Sequence, residues 1–159
     1  MTKDLPRMRA GGFAGGLFAI FVPPTATGEV VTPAAMNAVM DSPPYDVPLP
    51  PLTPALLAQP VALQMAGHFH WMIRASGGAF HGCTTVAGIE AARAAGAIAA
   101  VLHMEGAEAI GADLDALHLF HAMGLRSLGP VWSRPTIFGH GVPFRFPSSP
   151  DTGPGLTDA

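Results

Sequence analysis

The residues best suited to chemistry in this chain lie where an apolar segment ends in His103-Met104-Glu105-Gly106. A carboxylate is costly to bury unless a metal ion, another cation or a substrate compensates its charge. Residues two apart on a β-strand point to the same side, so His103 and Glu105 would share one face. We therefore take Glu105 as a candidate metal ligand or catalytic carboxylate. A salt-bridged glutamate at a strand end is the competing interpretation.

His103 has two possible roles. It could hydrogen-bond to a metal site at Glu105 and orient the ligands there, as outer histidines do in many metal centres. It could instead be an interior histidine whose ring nitrogens are satisfied by protein groups, and the sequence favours this simpler role.

Other potentially reactive residues carry weaker patterns. His68-Phe69-His70 falls in a predicted helix, where residues two apart point to nearly opposite sides, so we do not expect joint metal binding. His118 and His121 are spaced by three but lie on a helix whose apolar face is formed by other residues, and we expect both to be exposed. Cys83 has no apparent catalytic partner. The chain also lacks a Gly-x-Ser-x-Gly motif and a phosphate-binding loop after a strand.

The alternation of elements predicts a parallel α/β fold. Residues 97–105, between Gly96 and Gly106, form an apolar run typical of a strand buried on both faces. Two further strands are predicted at 17–22 and 125–132. The predicted helices are 33–40, 54–76 with a kink or restart at Pro60, 86–95 and 114–123. The connection 25–51, apart from the helix 33–40 within it, and the Pro/Gly-rich segment 133–159 are predicted to be irregular.

Some helix details can also be predicted. Thr32, Thr53, Thr85 (with Thr84 before it) and Asp113 precede predicted helices and are suitable N-caps. The long helix should pack through apolar residues that recur every three or four positions. These residues are Leu56, Leu57, Val61, Met65, Phe69 and Met72.

The composition indicates one globular domain. Of the 159 residues, 49% are hydrophobic and 12% are charged, which argues against disorder. A net charge of -3 offers no basic surface for nucleic acid. The apolar run 11–22 is shorter than the roughly 20 residues of a membrane-spanning helix and lacks a clean signal-peptide cleavage site. The sequence does not determine the cellular location of the protein, and we favour the cytoplasm over export.

Several segments together resemble the membrane (renal) dipeptidase family of zinc metallopeptidases in its bacterial form. They match the family's second barrel strand and its approach, the Glu-Gly-Gly-type motif after the third strand, a Leu…Gly-Val-Arg pattern, and the short motif before the next helix. In chain order these segments are 4–12 with 17–23, Glu105-Gly106-Ala107-Glu108-Ala109-Ile110, Leu117 with Gly124-Leu125-Arg126, and Gly155-Leu156-Thr157.

The resemblance implies a β/α (TIM-type) barrel of the metal-dependent hydrolase kind, with two zinc ions at the C-terminal ends of its strands. Such enzymes cleave dipeptides, some with a D-residue in the second position. Glu105 would be the carboxylate that bridges both zinc ions. Residues 1–159 would be a single partial domain, the N-terminal half of the barrel, with about three of eight strands and without the first strand.

The departures from the family pattern are substantial. The family's His-x-Asp metal pair would precede Asp4, and its histidine ligands and substrate-binding residues would follow Ala159. Trp132 stands where many members carry a substrate-facing histidine. We therefore expect a dipeptidase fragment that is inactive alone and binds zinc weakly, because one ligand cannot hold two metal ions.

Two alternatives remain. The chain could be a non-catalytic interaction or assembly module that retains half a barrel and pairs its sheet edges with a partner or in a homo-oligomer. A metal-dependent deaminase or amidase on a similar barrel is disfavoured, since the His-x-His of this chain falls in a helix.

Overall fold

The computed structural model describes residues 4–23, 32–148 and 154–159 of the chain. Parts of the predicted irregular segments, residues 24–31 and 149–153, lie outside this description. The elements, in chain order, are α1 (Leu5–Ala10), β1 (Gly15–Ile20), α2 (Pro33–Met40), β2 (Tyr45–Val47), α3 (Ala55–Ala75), β3 (Phe80–Gly82), α4 (Val86–Ala94), β4 (Ile98–Glu105), α5 (Asp115–Ala122), β5 (Leu125–Gly129) and β6 (Phe144–Phe146).

Strand β4 is the centre of a four-stranded parallel sheet. β1 runs along one edge of β4, with Ile20 opposite Met104. The other edge of β4 is shared: β3 pairs with its first residues, and β5 pairs with its last, placing Gly129 opposite Glu105. The C-terminal ends of β1, β4 and β5 therefore meet at one end of the sheet. The predicted parallel α/β class is confirmed.

The two faces of β4 are covered differently. Ile98, Ala100, Leu102 and Met104 point into the main core, where residues of α3 and α5 cover them. On the opposite face, Ala99 packs in a smaller cluster with Cys83, just after β3, and Ala92 of α4. Farther along this second face, His103 and Glu105 are only half-buried. At the C-terminal end of β4, where the candidate site lies, the second face is thus more accessible than the first.

Helix α3 packs through small residues. Its buried residues are Ala58, Ala62, Ala66 and Phe69. Leu56 and Leu57, predicted to face the core, are 83% and 51% exposed, so that part of the prediction is wrong. The alanines recur every four residues and form a narrow ridge on which the helix can approach the sheet closely. A prediction based on the spacing of large apolar residues does not detect such a ridge.

The predicted N-caps hold in two of four cases. The Thr32 and Thr85 hydroxyls each accept a hydrogen bond from the backbone N–H three residues later, as N-caps do. Thr53 is wrong as a cap, because Pro54 occupies that position and the Thr53 side chain is buried. Asp113 is also wrong, because Leu114 occupies the cap position of α5 and its side chain makes no capping hydrogen bond. Helix α3 also runs through Pro60 as one element, so the predicted restart does not occur.

Two elements were not predicted: the helix α1 before the first strand, and the short strand β3 before α4. The polar lead-in forms α1, because Asp4 accepts a hydrogen bond from the Arg7 backbone N–H at 3.0 Å and caps the helix. Strand β3 has only three residues, too few for an alternating pattern to be recognised.

The C-terminal segment also differs from the prediction. Strand β5 ends at Gly129, earlier than the predicted residue 132. The segment from 133 onward contains β6, which pairs antiparallel with β2. The ring of Tyr45 in β2 stacks on that of Phe144 in β6 and lies tilted beside that of Phe146. These aromatic contacts stabilise the short two-stranded ribbon. The irregular-loop predictions for both segments are therefore wrong at β2 and β6.

No helix in the described part of the chain combines the length and apolar character needed to cross a membrane.

Candidate functional site

Glu105 is the last residue of β4 and lies opposite Gly129 of β5. Its side chain is half-buried on the second face of the sheet, the face that also carries His103. The C-terminal ends of parallel strands are where α/β proteins place ligands and reacting groups. Glu105 is therefore in a suitable position for a site residue, and its carboxylate could bind a metal ion.

The backbone after Glu105 turns sharply through Gly106, whose φ is +92°. A Cβ atom at this position would lie 2.5 Å from Oε2 and 2.7 Å from Oε1 of Glu108. Glycine is thus required here both for the backbone angle and for the close approach of the Glu108 carboxylate. Gly106 and Ala107 also donate backbone hydrogen bonds to the carbonyls of Gly129 and Pro130, at 3.1 and 3.2 Å.

Glu108 forms a buried ion pair with Arg134. The Arg134 Nε and Glu108 Oε1 atoms are 2.8 Å apart, and the two side chains are 2% and 0% exposed. The contact is close in distance but does not meet hydrogen-bond geometry at either atom. Arg134 Nη2 also donates a hydrogen bond to the carbonyl oxygen of Val22, just beyond β1. Sequence analysis did not identify this pair.

Only a weak signal for the pair exists in the sequence. Glu108 lies within the Glu-Gly-Gly-type motif, but motif matching gave it no role. Arg134 is a single cation in a segment predicted to be loop. Because nothing in the sequence shows that two positions so far apart meet in the interior, the pair becomes apparent only in the folded chain.

Aromatic side chains lie next to this ion pair. The Phe21 and Trp132 rings meet edge to face with their centroids 5.3 Å apart. The Cζ atom of Arg134 is 5.7 Å from the centroid of Phe21, within the range of a cation–π contact. Trp132 itself is 40% exposed. Trp132, which the resemblance matched to a substrate-facing histidine, therefore places a partly exposed ring at the same end of the sheet.

His103 contacts Ser127, its partner across the β4–β5 pair. The distance from His103 Nδ1 to Ser127 Oγ is 2.8 Å. This contact agrees with the interpretation of His103 as an interior histidine with a protein partner. The structure describes no hydrogen bond between His103 and Glu105, and a role for His103 in orienting a metal ligand stays a prediction.

The remaining candidates lie in other surroundings. His70 Nε2 is 2.8 Å from the backbone carbonyl oxygen of Met123, while His68 is exposed. His118 and His121 are exposed, as predicted. Cys83 is buried, and its thiol donates to the carbonyl of His81. None of these contacts involves Glu105.

Across residues 4–23, 32–148 and 154–159, no three His, Cys, Asp or Glu side chains come together as a metal-binding group. Glu105 can supply one carboxylate, a ligand type that zinc accepts. The described residues thus fit one part of a metal centre but do not make a complete one.

The family model for membrane dipeptidase (peptidase family M19) matches residues 1–159. The chain belongs to this family. The predicted family resemblance is therefore confirmed over the full length of the sequence.

Solved structures of family members resemble this dipeptidase-family chain closely. A metallopeptidase from Rhodobacter sphaeroides, liganded with a phosphinate mimic of the dipeptide L-Ala-D-Ala, is 64% identical with a TM-score of 0.91. A protein described as dipeptidase AC, a metallopeptidase of family M19, is 63% identical with a TM-score of 0.89. Both matches cover 98% of this chain, but only 44% and 42% of the respective structures.

More distant relatives are also much longer than this chain. An uncharacterised protein encoded in the PQQ-III 3′ region of Acinetobacter calcoaceticus is 40% identical over 154 residues, which are 97% of this chain and 46% of that protein. The probable dipeptidase PvdM from Pseudomonas aeruginosa shares the fold, with a TM-score of 0.64 at 21% identity. The chain thus spans less than half the length of the relatives that it matches almost throughout.

Proposed function

We propose that this chain is part of a zinc-dependent dipeptidase and contributes Glu105 as the carboxylate that bridges two zinc ions. Strands β1, β4 and β5 would be about three of the eight strands of a β/α barrel. The observation that carries the proposal is the 64% identity to a metallopeptidase liganded with a dipeptide mimic, combined with Glu105 at the C-terminal end of β4.

The local chemistry suits this role. Two cations held a few ångströms apart repel each other, and an anionic oxygen donor between them reduces that repulsion. The backbone hydrogen bonds of Gly106 and Ala107 to the segment after β5 hold the Glu105 backbone in place. When bound, zinc would polarise the substrate carbonyl and activate water for attack. Trp132, partly exposed at the same end, could contact the substrate.

The 159-residue chain should lack dipeptidase activity alone and bind zinc weakly, because it offers one ligand for a two-metal centre. The function can be tested in a chimera in which this chain replaces the matching segment of the Rhodobacter sphaeroides metallopeptidase. Hydrolysis of L-Ala-D-Ala by the chimera and not by the 159-residue chain alone, and its loss on Glu105→Gln, is the expected result. A folded chimera with no hydrolysis would contradict the proposal.

A second candidate function, a non-catalytic assembly module, is favoured by one observation. Among the described strands, β1 pairs with β4 alone, so its other edge is open. Beside this edge, an apolar cleft of about 520 Å³ is lined by residues of β1 and α3, including Phe18, Met65 and Trp71. An open edge with adjacent apolar surface favours pairing with another chain.

Analytical ultracentrifugation of the purified chain distinguishes this alternative. A discrete folded oligomer that Leu17→Lys dissociates would support an assembly role, since Leu17 of β1 is 60% exposed. A folded monomer would remove it.

A further inference from the structure

We infer that the buried Glu108–Arg134 pair positions Glu105, by fixing the turn that follows β4. Neither residue is placed against substrate or metal; both would act through the backbone of Glu105 and Gly106. The inference rests on the proposed function for its purpose, but the geometric role can be measured without any metal.

The first contact is between Glu108 and the residue directly after Glu105. The Glu108 carboxylate occupies the space that a side chain at position 106 would need, 2.5 Å from the Cβ position. Its side chain is fully buried, so surrounding groups restrict it to this place. A charged group held so closely against Gly106 limits the conformations of the turn, and therefore the direction in which Glu105 leaves the strand.

The second contact joins this turn to both neighbouring strands. Arg134 pairs with Glu108, donates to the carbonyl of Val22 after β1, and lies over the ring of Phe21. A guanidinium is planar and carries several donors in fixed directions, so it can hold several partners at once. One side chain thus links the segments that follow β1, β4 and β5, the three strands whose ends surround the candidate site.

Stability alone is a weak reason for such a pair. Removing two charges from water costs free energy that their attraction only partly returns, and well-packed apolar residues often replace buried pairs without loss of stability. The pair also carries no net charge, so it can rigidify the turn without adding a repulsive charge beside a cation site. Both points favour positioning over a purely stabilising role.

The test compares the wild-type chain with the double variant Glu108→Leu/Arg134→Met. This variant removes both charges and replaces the two side chains with apolar ones of similar volume. The primary measurement is amide hydrogen exchange at Gly106 and Ala107 without metal. We expect exchange at these two amides to increase about tenfold or more, while amides in the middle of β4 keep wild-type protection. Wild-type exchange at both amides in the folded double variant would overturn the inference.

A milder variant covers the case in which the double variant does not fold. Arg134→Lys keeps the charge but loses the planar arrangement of donors. We expect the same local increase in exchange with a smaller fall in melting temperature than Arg134→Met causes, and unchanged exchange would again overturn the inference. The matched control is Arg145→Lys, because Arg145 forms an exposed pair with Asp46 at 2.9 Å and should leave both amides unaffected.

A zinc titration by calorimetry, made on the chimera with the Rhodobacter sphaeroides metallopeptidase, connects the role to the proposed function. Zinc affinity should fall about tenfold in either pair variant, as is usual when groups that orient metal ligands are removed. Faster exchange with unchanged zinc affinity would contradict positioning for metal binding. If the chimera and its Glu105→Gln variant bind zinc equally, the proposed function fails, whereas hydrogen exchange still decides whether the pair fixes the turn.

Discussion

The side chain of Arg134 donates a hydrogen bond to the carbonyl oxygen of Val22, a residue 112 positions earlier in the chain. This bond connects the segment after β5 with the end of β1, on either side of Glu105 at the end of β4. Because both residues are about 2% exposed, water competes little for either group. The candidate site is therefore surrounded by segments that one buried cation joins.

Loss of the Glu105 carboxylate should remove zinc binding without unfolding the chain. Glu105 is half-buried and has no ion-pair partner in the described structure, so Glu105→Gln should change the free energy of unfolding by less than about 1 kcal/mol. Calorimetric zinc titration and urea denaturation measure the two effects. Glu90→Gln, at an exposed glutamate of α4, is the control and should retain whatever zinc affinity the wild type has.

Gly106→Ala should be strongly destabilising. The new side chain must accept a φ of +92°, which costs about 1–2 kcal/mol, and must displace the Glu108 carboxylate. We expect a total loss of about 3 kcal/mol or more in urea denaturation.

Gly77→Ala is the matched control for that substitution. Gly77 has a φ of +60°, but a Cβ there would meet nothing within 4 Å. It should cost only about 1 kcal/mol, the part due to backbone conformation. Equal losses at the two positions would show that the contact with Glu108 is not important.

Removal of only one partner of the buried pair should be costly. Arg134→Met leaves the Glu108 carboxylate buried without its cation, and we expect a loss of about 3–5 kcal/mol. Arg145→Met removes a cation from an exposed pair and should cost less than about 1 kcal/mol. Parallel thermal and urea denaturation of both variants would test the contrast, and a small effect at Arg134 would contradict the buried ion pair.

The small-residue ridge of α3 predicts an unusual pattern of tolerance to substitution. Ala62 is completely buried, so Ala62→Leu should force the helix away from the sheet and cost about 1–3 kcal/mol. Leu56→Ala, at a residue 83% exposed, should change stability by no more than about 0.5 kcal/mol. If Leu56→Ala were the more damaging of the two, α3 would be packed through its large residues.

The sequence predicted the elements with strong local signals. The apolar run that became β4, the glycine on either side of it, and the caps at Thr32 and Thr85 depend on residues close together in the chain. Glu105 was identified for the same reason, because a carboxylate at the end of a buried strand is visible locally. Its place beside β5 followed from the parallel arrangement.

Features that depend on distant residues were missed or wrong. The side of α3 that faces the sheet is determined by how closely the two can approach, which hydrophobicity alone does not reveal. Strands β2 and β6 are three residues long and form only because each supplies the other's partner. The Glu108–Arg134 pair depends on the same kind of long-range meeting. Local patterns therefore located the candidate ligand but not the residues that surround it.

The central position of β4 has a consequence for how the chain folds during synthesis. β1, β3 and β5 each pair with β4 and, within the described sheet, not with one another. β1 therefore leaves the ribosome roughly 80 residues before its partner, a delay of about 4–16 s at usual rates of translation. During this interval β1 lacks the strand with which it pairs in the described sheet, so the yield of folded protein should depend on chaperones that shield apolar segments.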